Sequence, residues 1–252
     1  MGKQFEGKVA VITGGSSGIG RAAAIAFAVE GARVAFGSRR VAESEETIRL
    51  VEEKGGEAIF VQMDVSRSAD VARLVQAAVD RWQRLDFAFN NAGVSGTGFI
   101  PIPDYTEETW DQVIDINLKG VFLSMKYEIP AMLKSGGGAI VNMSSIAGLI
   151  GGRVGSAYYA SKAGVIGLTR AAAMEYCDAK IRVNAVCPAV IETPMAEGIF
   201  SSGRTASLIA QHPLGRFGKP EEVADCVVWL CSERSSFITG QALPIDGGFT
   251  AR

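Results

Sequence analysis

The stretch Val9-Ala-Val-Ile-Thr-Gly-Gly-Ser-Ser-Gly-Ile-Gly20 decides the fold of this 252-residue chain. Its first four residues are apolar throughout, as in a strand covered on both faces. A Gly-rich turn follows, and Gly18–Val29 reads as the helix that the turn opens. In a strand–turn–helix unit such a turn lets the backbone approach a phosphate, whose charge then rests at the helix N-terminus. The spacing is G-x-x-x-G-x-G through Gly14, Gly18 and Gly20, not the commoner G-x-G-x-x-G. Gly14, Ser16, Ser17, Gly18, Ile19 and Gly20 are therefore candidates for holding a dinucleotide, with a purely structural turn as the alternative.

Working outward, further short apolar runs read as strands: Arg33–Phe36, Ala58–Gln62, Leu85–Phe89, Ala139–Met143, Ile181–Val186 and Ala242–Asp246. Between them lie helical stretches, Ala42–Lys54, Ser68–Arg81, Glu107–Leu133, Ala157–Asp178 and Glu221–Ser232. Thr106 before Glu107 and Glu108 is a good helix start, with acids in the first turn. Regular β-α alternation predicts an α/β fold: a doubly wound (Rossmann) sheet of seven parallel strands, with right-handed crossovers and helices on both faces. No linker, charge block or repeat interrupts it, so residues 1–252 are expected to form a single domain.

Composition excludes several function classes. A net charge of −2 gives no argument for nucleic acid or an anionic membrane surface. The four cysteines, Cys177, Cys187, Cys226 and Cys231, form no C-x-x-C pair, and His212 is the only histidine. No metal site is expected, and the cysteines read as reduced thiols of a cytoplasmic protein. The opening M-G-K-Q-F-E-G-K lacks the apolar core of a secretory signal, and Glu6 stands where a myristoylation signal needs Ser or Thr. No apolar run approaches the roughly 20 residues that span a bilayer.

Chemistry concentrates between Ser144 and Lys162, S-S-I-A-G-L-I-G-G-R-V-G-S-A-Y-Y-A-S-K. On a helix Tyr158 and Lys162 project from one face, one turn apart. An ammonium beside a phenol favours the phenolate and is expected to lower the Tyr158 pKa, preparing it as an acid or base. Ser145 or Ser144 would hydrogen-bond the same reacting oxygen. Tyr176 and Lys180 repeat the spacing without a serine loop ahead of them. Lys180 is read there as a cation in the last helical turn.

Other candidates sit at strand ends, where open α/β sheets bind ligands. Ser38, Arg39 and Arg40 end the second strand, where an acid would bond the adenosine ribose diol. Arginines there suit a 2′-phosphate and predict NADP(H) over NAD(H); solvated helix-start residues are the alternative. Asp64 and Val65 follow the third strand, with Asp64 either bonding an adenine amino group or capping a turn. Asn90, Asn91, Ala92 and Gly93 follow the fourth. Asn117, inside a helical stretch, either serves the site or bonds its own helix backbone.

Together, T-G-G-S-S-G-I-G, D-V, N-N-A-G, the mid-helix Asn117, I-V-N-M-S-S, Y-Y-A-S-K, N-A-V-C-P and T-G-Q-x-x-x-x-D-G-G resemble the short-chain dehydrogenase/reductase family over essentially the whole chain. The resemblance implies that Tyr158 exchanges a proton with the substrate oxygen and that Lys162 lowers its pKa and bonds the nicotinamide ribose. It prefers Ser145 over Ser144 as the group polarising the carbonyl, and makes Asn117 the holder of a relay water. Asn90 and Gly93 would contact the cofactor, and Pro188, Ile191 and Thr193 would hold the nicotinamide. Ala189 stands where the family often has Gly, and its methyl would narrow the nicotinamide floor. A mobile segment around residues 194–213 would cover the substrate, with His212 a structural loop residue, and Gly96, Phe99, Ile150, Gly151, Arg153 and Tyr159 are candidates to line its cavity.

The implied activity is an NADP(H)-dependent ketoreductase or secondary alcohol dehydrogenase for a small-to-medium, largely uncharged carbonyl or alcohol. The alternatives are a 3-oxoacyl-(acyl-carrier-protein) reductase, a sugar or cyclic-diol dehydrogenase and, more distantly, a non-catalytic NADP-sensing protein. Arg153, Arg204, Arg216 and Lys219 are the basic residues available to dock an acidic carrier. The family also implies a homotetramer, joined partly through the two long helices, whose Val121, Phe122, Leu123, Val165, Ile166 and Leu168 put apolar residues on more than one face.

Overall fold

The strand β1 (Val9–Thr13) is buried at every position, so the sheet built on it must be covered on both faces. The computed structural model describes residues 3–98, 100–152, 155–200, 203 and 205–251. Beside β1 lie β2 (Arg33–Ser38) and then β3 (Ala58–Gln62). On the other side follow β4 (Phe87–Asn90), β5 (Gly138–Met143), β6 (Ile181–Pro188) and β7 (Ala242–Ile245). The order is 3-2-1-4-5-6-7 in one seven-stranded sheet, and every neighbouring pair is parallel. The strand order reverses between β1 and β4, where Thr13 lies opposite Asn90. A crevice at the carboxyl ends of these strands is where such a sheet takes a ligand.

The period-two alternation of the strands divides the core. Ala10 and Ile12 face one layer, with α1 (Gly18–Val29), α2 (Val41–Glu53) and α9 (Pro220–Cys231). Val9 and Val11 face the other, with α3 (Ser68–Trp82), α5 (Gly120–Ser135) and α6 (Ser156–Tyr176), while α4 (Glu107–Ile114) packs on α6. At the opposite end of the sheet Asp86 is buried, accepting from Val9 N at 3.0 Å and Lys8 Nζ at 3.0 Å. Burial would raise its pKa, yet Arg84, Lys8 and the Val9 amide hold it below the usual carboxylate range. That anchor lies ahead of β4, which therefore starts two residues later than the apolar run suggests.

Two expectations need correction. The helix expected over Glu107–Leu133 is broken into α4, a π-helical turn over Asp115–Lys119, and α5. The cause is Asn117, whose side chain leaves the helix to bond both backbone groups of Val94, a contact far away in sequence. Lys180 is not in a helical turn; it follows a 3-10 turn over Cys177–Ala179 and takes a left-handed conformation, φ 59°. The segment 194–213 holds a 3-10 turn at Pro194–Ala196 and the short helices α7 (Glu197–Phe200) and α8 (Thr205–Ile209). Among the described residues no helix is long and apolar enough to cross a membrane.

Candidate active site

The Gly-rich turn joins β1 to α1 at the carboxyl edge of the sheet. Gly14 takes φ +74°, and a Cβ at Gly20 would run into the Gly14 carbonyl and the Asn91 amide. Ser17, the residue before α1, makes no side-chain cap, and no acid stands in the first helical turn. The amides of that turn therefore stay open to an anion. Ser16 is buried and Ser17 half-buried, while Ile19 packs against the core beside the turn. These features fit a dinucleotide pyrophosphate.

Across the switch point, Asn91 ties β4 to the turn: its side-chain amide donates to Thr13 O at 3.1 Å and Gly14 O at 3.2 Å. Ala92 N donates to Thr13 Oγ1 at 3.1 Å. Gly93 comes next, and a Cβ there would stand 3.2 Å from Asn117 Oδ1 and 3.6 Å from Lys162 Nζ. Asn90 is placed otherwise than expected. Its side chain turns into the interior, 1% exposed, and donates to Glu128 at 3.0 Å and Asn142 at 2.9 Å.

At the end of β2, the Ser38 hydroxyl accepts from Arg40 N at 3.0 Å. The Arg40 guanidinium reaches Ser16 Oγ at 2.9 Å and Ser17 Oγ at 2.5 Å. Both Arg39 and Arg40 are exposed. Asp64 accepts from the Ser66 amide at 3.0 Å and hydroxyl at 2.7 Å, forming a turn. Burial alone would raise its pKa; the Ser66 hydrogen bonds and the charges of Arg39 and Arg67 hold it low. The Val65 side chain goes inward to pack on Gly120.

The catalytic candidates gather on α6 and the loop after β5. Lys162 is 3% exposed, its ammonium donating to Met143 O at 2.9 Å and lying 5.6 Å from the centre of the Tyr158 ring. Burial brings its pKa down to about 8, opposed by nearby Cys187. Tyr158 is half-buried. Its phenol is pushed up by burial rather than lowered; the Ser145 hydroxyl pulls the other way and Tyr159 adds to the rise. Ser145 Oγ donates to Pro188 O at 3.4 Å and accepts from Ala147 N at 3.2 Å. Ser144 is committed elsewhere, donating to Lys162 O at 2.8 Å. Asn117, fully buried, bonds Val94 N at 2.8 Å, Val94 O at 2.9 Å and Ser161 Oγ at 3.3 Å.

After β6, Thr193 lies over α1: its methyl would be 3.1 Å from a Cβ at Gly18. The Ile191 side chain is buried against Gly218. Ala189 lines a cavity of about 130 Å³ with Val190, His212, Leu214 and Asp246. His212 is buried and its Nδ1 faces Leu208 O at 2.8 Å. Of the cavity-lining candidates, Tyr159 packs its phenol on Gly152, Gly96 abuts Val113 and Tyr105, and Ile150 and Gly151 are exposed. Phe99, Arg153 and the basic candidate Arg204 lie outside the described residues.

Sequence reasoning missed Glu128, a fully buried acid on α5 whose pKa burial drives up to about 8 against the Asn90 hydrogen bond. No local signal marks it: Ser124 and Glu128, one turn apart, are both polar, and only the packing of α5 shows that they are buried.

Comparison with known proteins agrees with this geometry. The family model described as enoyl-(acyl carrier protein) reductase matches residues 14–250. Cyclohexanol dehydrogenase of Acinetobacter sp. (strain SE19) is 42% identical over 252 residues, 100% of this chain and 98% of that protein. A 3-oxoacyl-(acyl-carrier-protein) reductase of Thermotoga maritima is 42% identical over 245 residues, 97% of this chain and 98% of its own. The crystal structure of levodione reductase superposes with a TM-score of 0.95 at 37% identity, covering 98% of this chain and 99% of that one. With its seven-stranded parallel sheet and these relatives, the chain belongs to the short-chain dehydrogenase/reductase family, NAD(P)-using oxidoreductases that act on alcohols and ketones.

Proposed function

We propose that the protein is an NADP(H)-dependent ketoreductase/secondary alcohol dehydrogenase for small-to-medium, largely uncharged substrates, with Tyr158 as acid/base. One observation carries this reading: Tyr158, Ser145 and Lys162 converge beside the switch point where the Gly-rich turn also opens. The nicotinamide group, when bound, supplies or accepts the hydride. Gly14, Ser16, Ser17, Gly18, Ile19 and Gly20 would hold the pyrophosphate, Ser38, Arg39 and Arg40 the 2′-phosphorylated ribose, and Asp64 and Val65 the adenine. Asn91, Ala92, Gly93, Pro188, Ile191 and Thr193 would hold the nicotinamide half.

A phenol kept protonated by burial is prepared to give its proton to a carbonyl oxygen, and Ser145 would hydrogen-bond that oxygen. Lys162 retains two donors beyond the one directed at Met143 O for the ribose and for recharging the phenol. Asn117 fixes the loop at Val94 and sits beside Gly93, the position from which it would pass protons outward. The absence of an acid at Ser38 supports the 2′-phosphate reading.

The test is NADPH consumption across aryl, cyclic and keto-ester carbonyls and a 3-oxoacyl thioester, with Tyr158→Phe alongside. Turnover of simple ketones that is lost in Tyr158→Phe is expected; turnover retained in the variant rejects the mechanism. Similarity to the Thermotoga maritima reductase favours a second reading, a 3-oxoacyl-(acyl-carrier-protein) reductase, which thioester-only activity would select. Against it, Arg216 is already paired with Glu222 at 2.6 Å, so one basic docking candidate is committed. Similarity to cyclohexanol dehydrogenase supports cyclic alcohols within the first reading.

We further propose a single catalytic domain over 1–252 with the segment 194–213 covering substrate, a homotetramer, and a cytoplasmic protein. Assembly is supported by an apolar groove between α4, α5 and α6, lined by Ile114, Leu118, Phe122, Gly164, Gly167 and Leu168. Phe122 is 48% exposed there, whereas Val121, Leu123, Val165 and Ile166 belong to the protein's own core. Burial pushes the thiols of Cys226 and Cys231 up to about 11 and about 12, as suits inert reduced cysteines.

A further inference from the structure

The phosphate turn is tied to α2 by side chains outside the set assigned to the cofactor. Arg21, the first residue after Gly20, reaches across to α2. Its Nη2 donates to Ser16 O at 2.7 Å and to Glu43 O at 2.9 Å, and its Nε to Thr47 Oγ1 at 3.0 Å. Thr47 is fully buried, and its hydroxyl lies 3.1 Å from both Gly15 O and Glu43 O. Ser44, also fully buried, donates to Arg40 O at 2.5 Å. The amino end of α2 is thus fastened to the turn that precedes α1, although the two come from separate β-α units.

That fastening links two parts of one binding site. The turn serves the pyrophosphate, whereas Arg39 and Arg40, at the start of α2, serve the 2′ position of the adenosine ribose. A ligand phosphorylated at the 2′ position needs both parts at a fixed spacing. One without that phosphate needs only the turn.

We infer that Arg21 and Thr47 are positioning residues for 2′-phosphate recognition: by clamping α2 to the phosphate turn they hold Arg39 and Arg40 at the correct distance, and so set the preference for a 2′-phosphorylated dinucleotide. The inference rests on the NADP(H) reading above. Arg21 is suited to the task because a guanidinium presents several donors in a rigid fork. Three carbonyl or hydroxyl partners on two chain segments use that fork.

The test measures binding without catalysis, by calorimetry with ADP-ribose and 2′-phospho-ADP-ribose on the wild type, Thr47→Val and Arg21→Gln. In the variants, affinity for the 2′-phosphorylated ligand is expected to fall roughly tenfold, as for a disturbed charge-assisted hydrogen bond, while ADP-ribose stays within about twofold. Equal weakening of both ligands means a merely structural role and overturns the inference, as does unchanged discrimination. A wild type that binds both ligands equally overturns the NADP(H) reading itself and the inference with it, so the two failures are distinct. Thr47→Val keeps the side-chain shape and decides the matter if Arg21→Gln does not fold.

Discussion

Replacing Glu128 by glutamine tests how the interior beneath the switch point is held. Glu128 is 1% exposed and accepts from Asn90 Nδ2 at 3.0 Å, with its pKa near 8 against an ordinary 4.5. The native state therefore binds this proton more tightly than the unfolded chain does. The resulting stability is fully present below the unfolded pKa and drains away as pH rises toward the folded one. From pH 5 to pH 7 the loss through this one carboxyl is about 2 kcal/mol by linkage. For a chain of this size that corresponds to roughly 4–8 °C in Tm. Glutamine keeps the acceptor for Asn90 and a donor in place of the acid hydrogen, and cannot titrate. Asn90 Oδ1 and Ser124 Oγ, buried without partners among the described residues, are acceptors in the same region. The assay is calorimetric Tm against pH for both proteins at one protein concentration, so that every other titrating group cancels in the difference. The wild-type curve should fall relative to the variant between pH 5 and pH 7, and the infrared band of a protonated carboxylic acid should vanish in Glu128→Gln. Parallel curves and an unchanged spectrum would refute the reasoning.

Four further outcomes are expected. Tyr158→Phe should lower kcat for ketone reduction by at least roughly a hundredfold with cofactor affinity unchanged; a small effect on kcat removes the phenol from proton transfer. Because burial raises the phenol pKa, alcohol oxidation, which needs the phenolate, should accelerate from pH 7 to pH 9 while reduction does not. Flat oxidation rates over that range contradict this. Arg39→Ala should raise the KM for NADPH roughly tenfold and leave that for NADH alone, and equal effects on both count against 2′-phosphate binding. Phe122→Glu, placed in the groove beside Leu118 and Leu168, should reduce the mass seen by light scattering to that of a smaller assembly; an unchanged tetramer puts the interface elsewhere.

The strands were legible because burial on both faces leaves nearly continuous apolar runs, and all seven fall within two residues of their expected starts. The Gly-rich turn and the Tyr158–Lys162 pair were legible because their spacing is local. What escaped reading depends on distant partners. The π turn exists because Asn117 bonds Val94, 23 positions away, and no helical periodicity announces that. Asn90 stands in a motif that points to the cofactor, yet Glu128 and Asn142, 38 and 52 positions on, draw it inward. Glu128 itself reads as a surface acid until the helix is seen packed on the sheet. The rise in the Tyr158 pKa follows from desolvation, a property of the assembled crevice and not of its spacing to Lys162.

The π turn over Asp115–Lys119 also sets a phase. Each residue turns an α-helix by about 100°, so the widened turn decides which way everything beyond it looks. Ahead of it stands α4; within it Asn117 reaches the Val94 loop; beyond it Phe122 looks outward while Ser124 and Glu128 look inward. Straightening that turn into regular helix with all its residues kept would swing α5 by about a quarter of a revolution relative to α4. Phe122 would leave the outer groove and Glu128 would leave Asn90. The extra residue and the widened turn are therefore matched: the turn absorbs the residue, so that Asn117 reaches the Val94 loop while the buried acid and the outer face both keep their places.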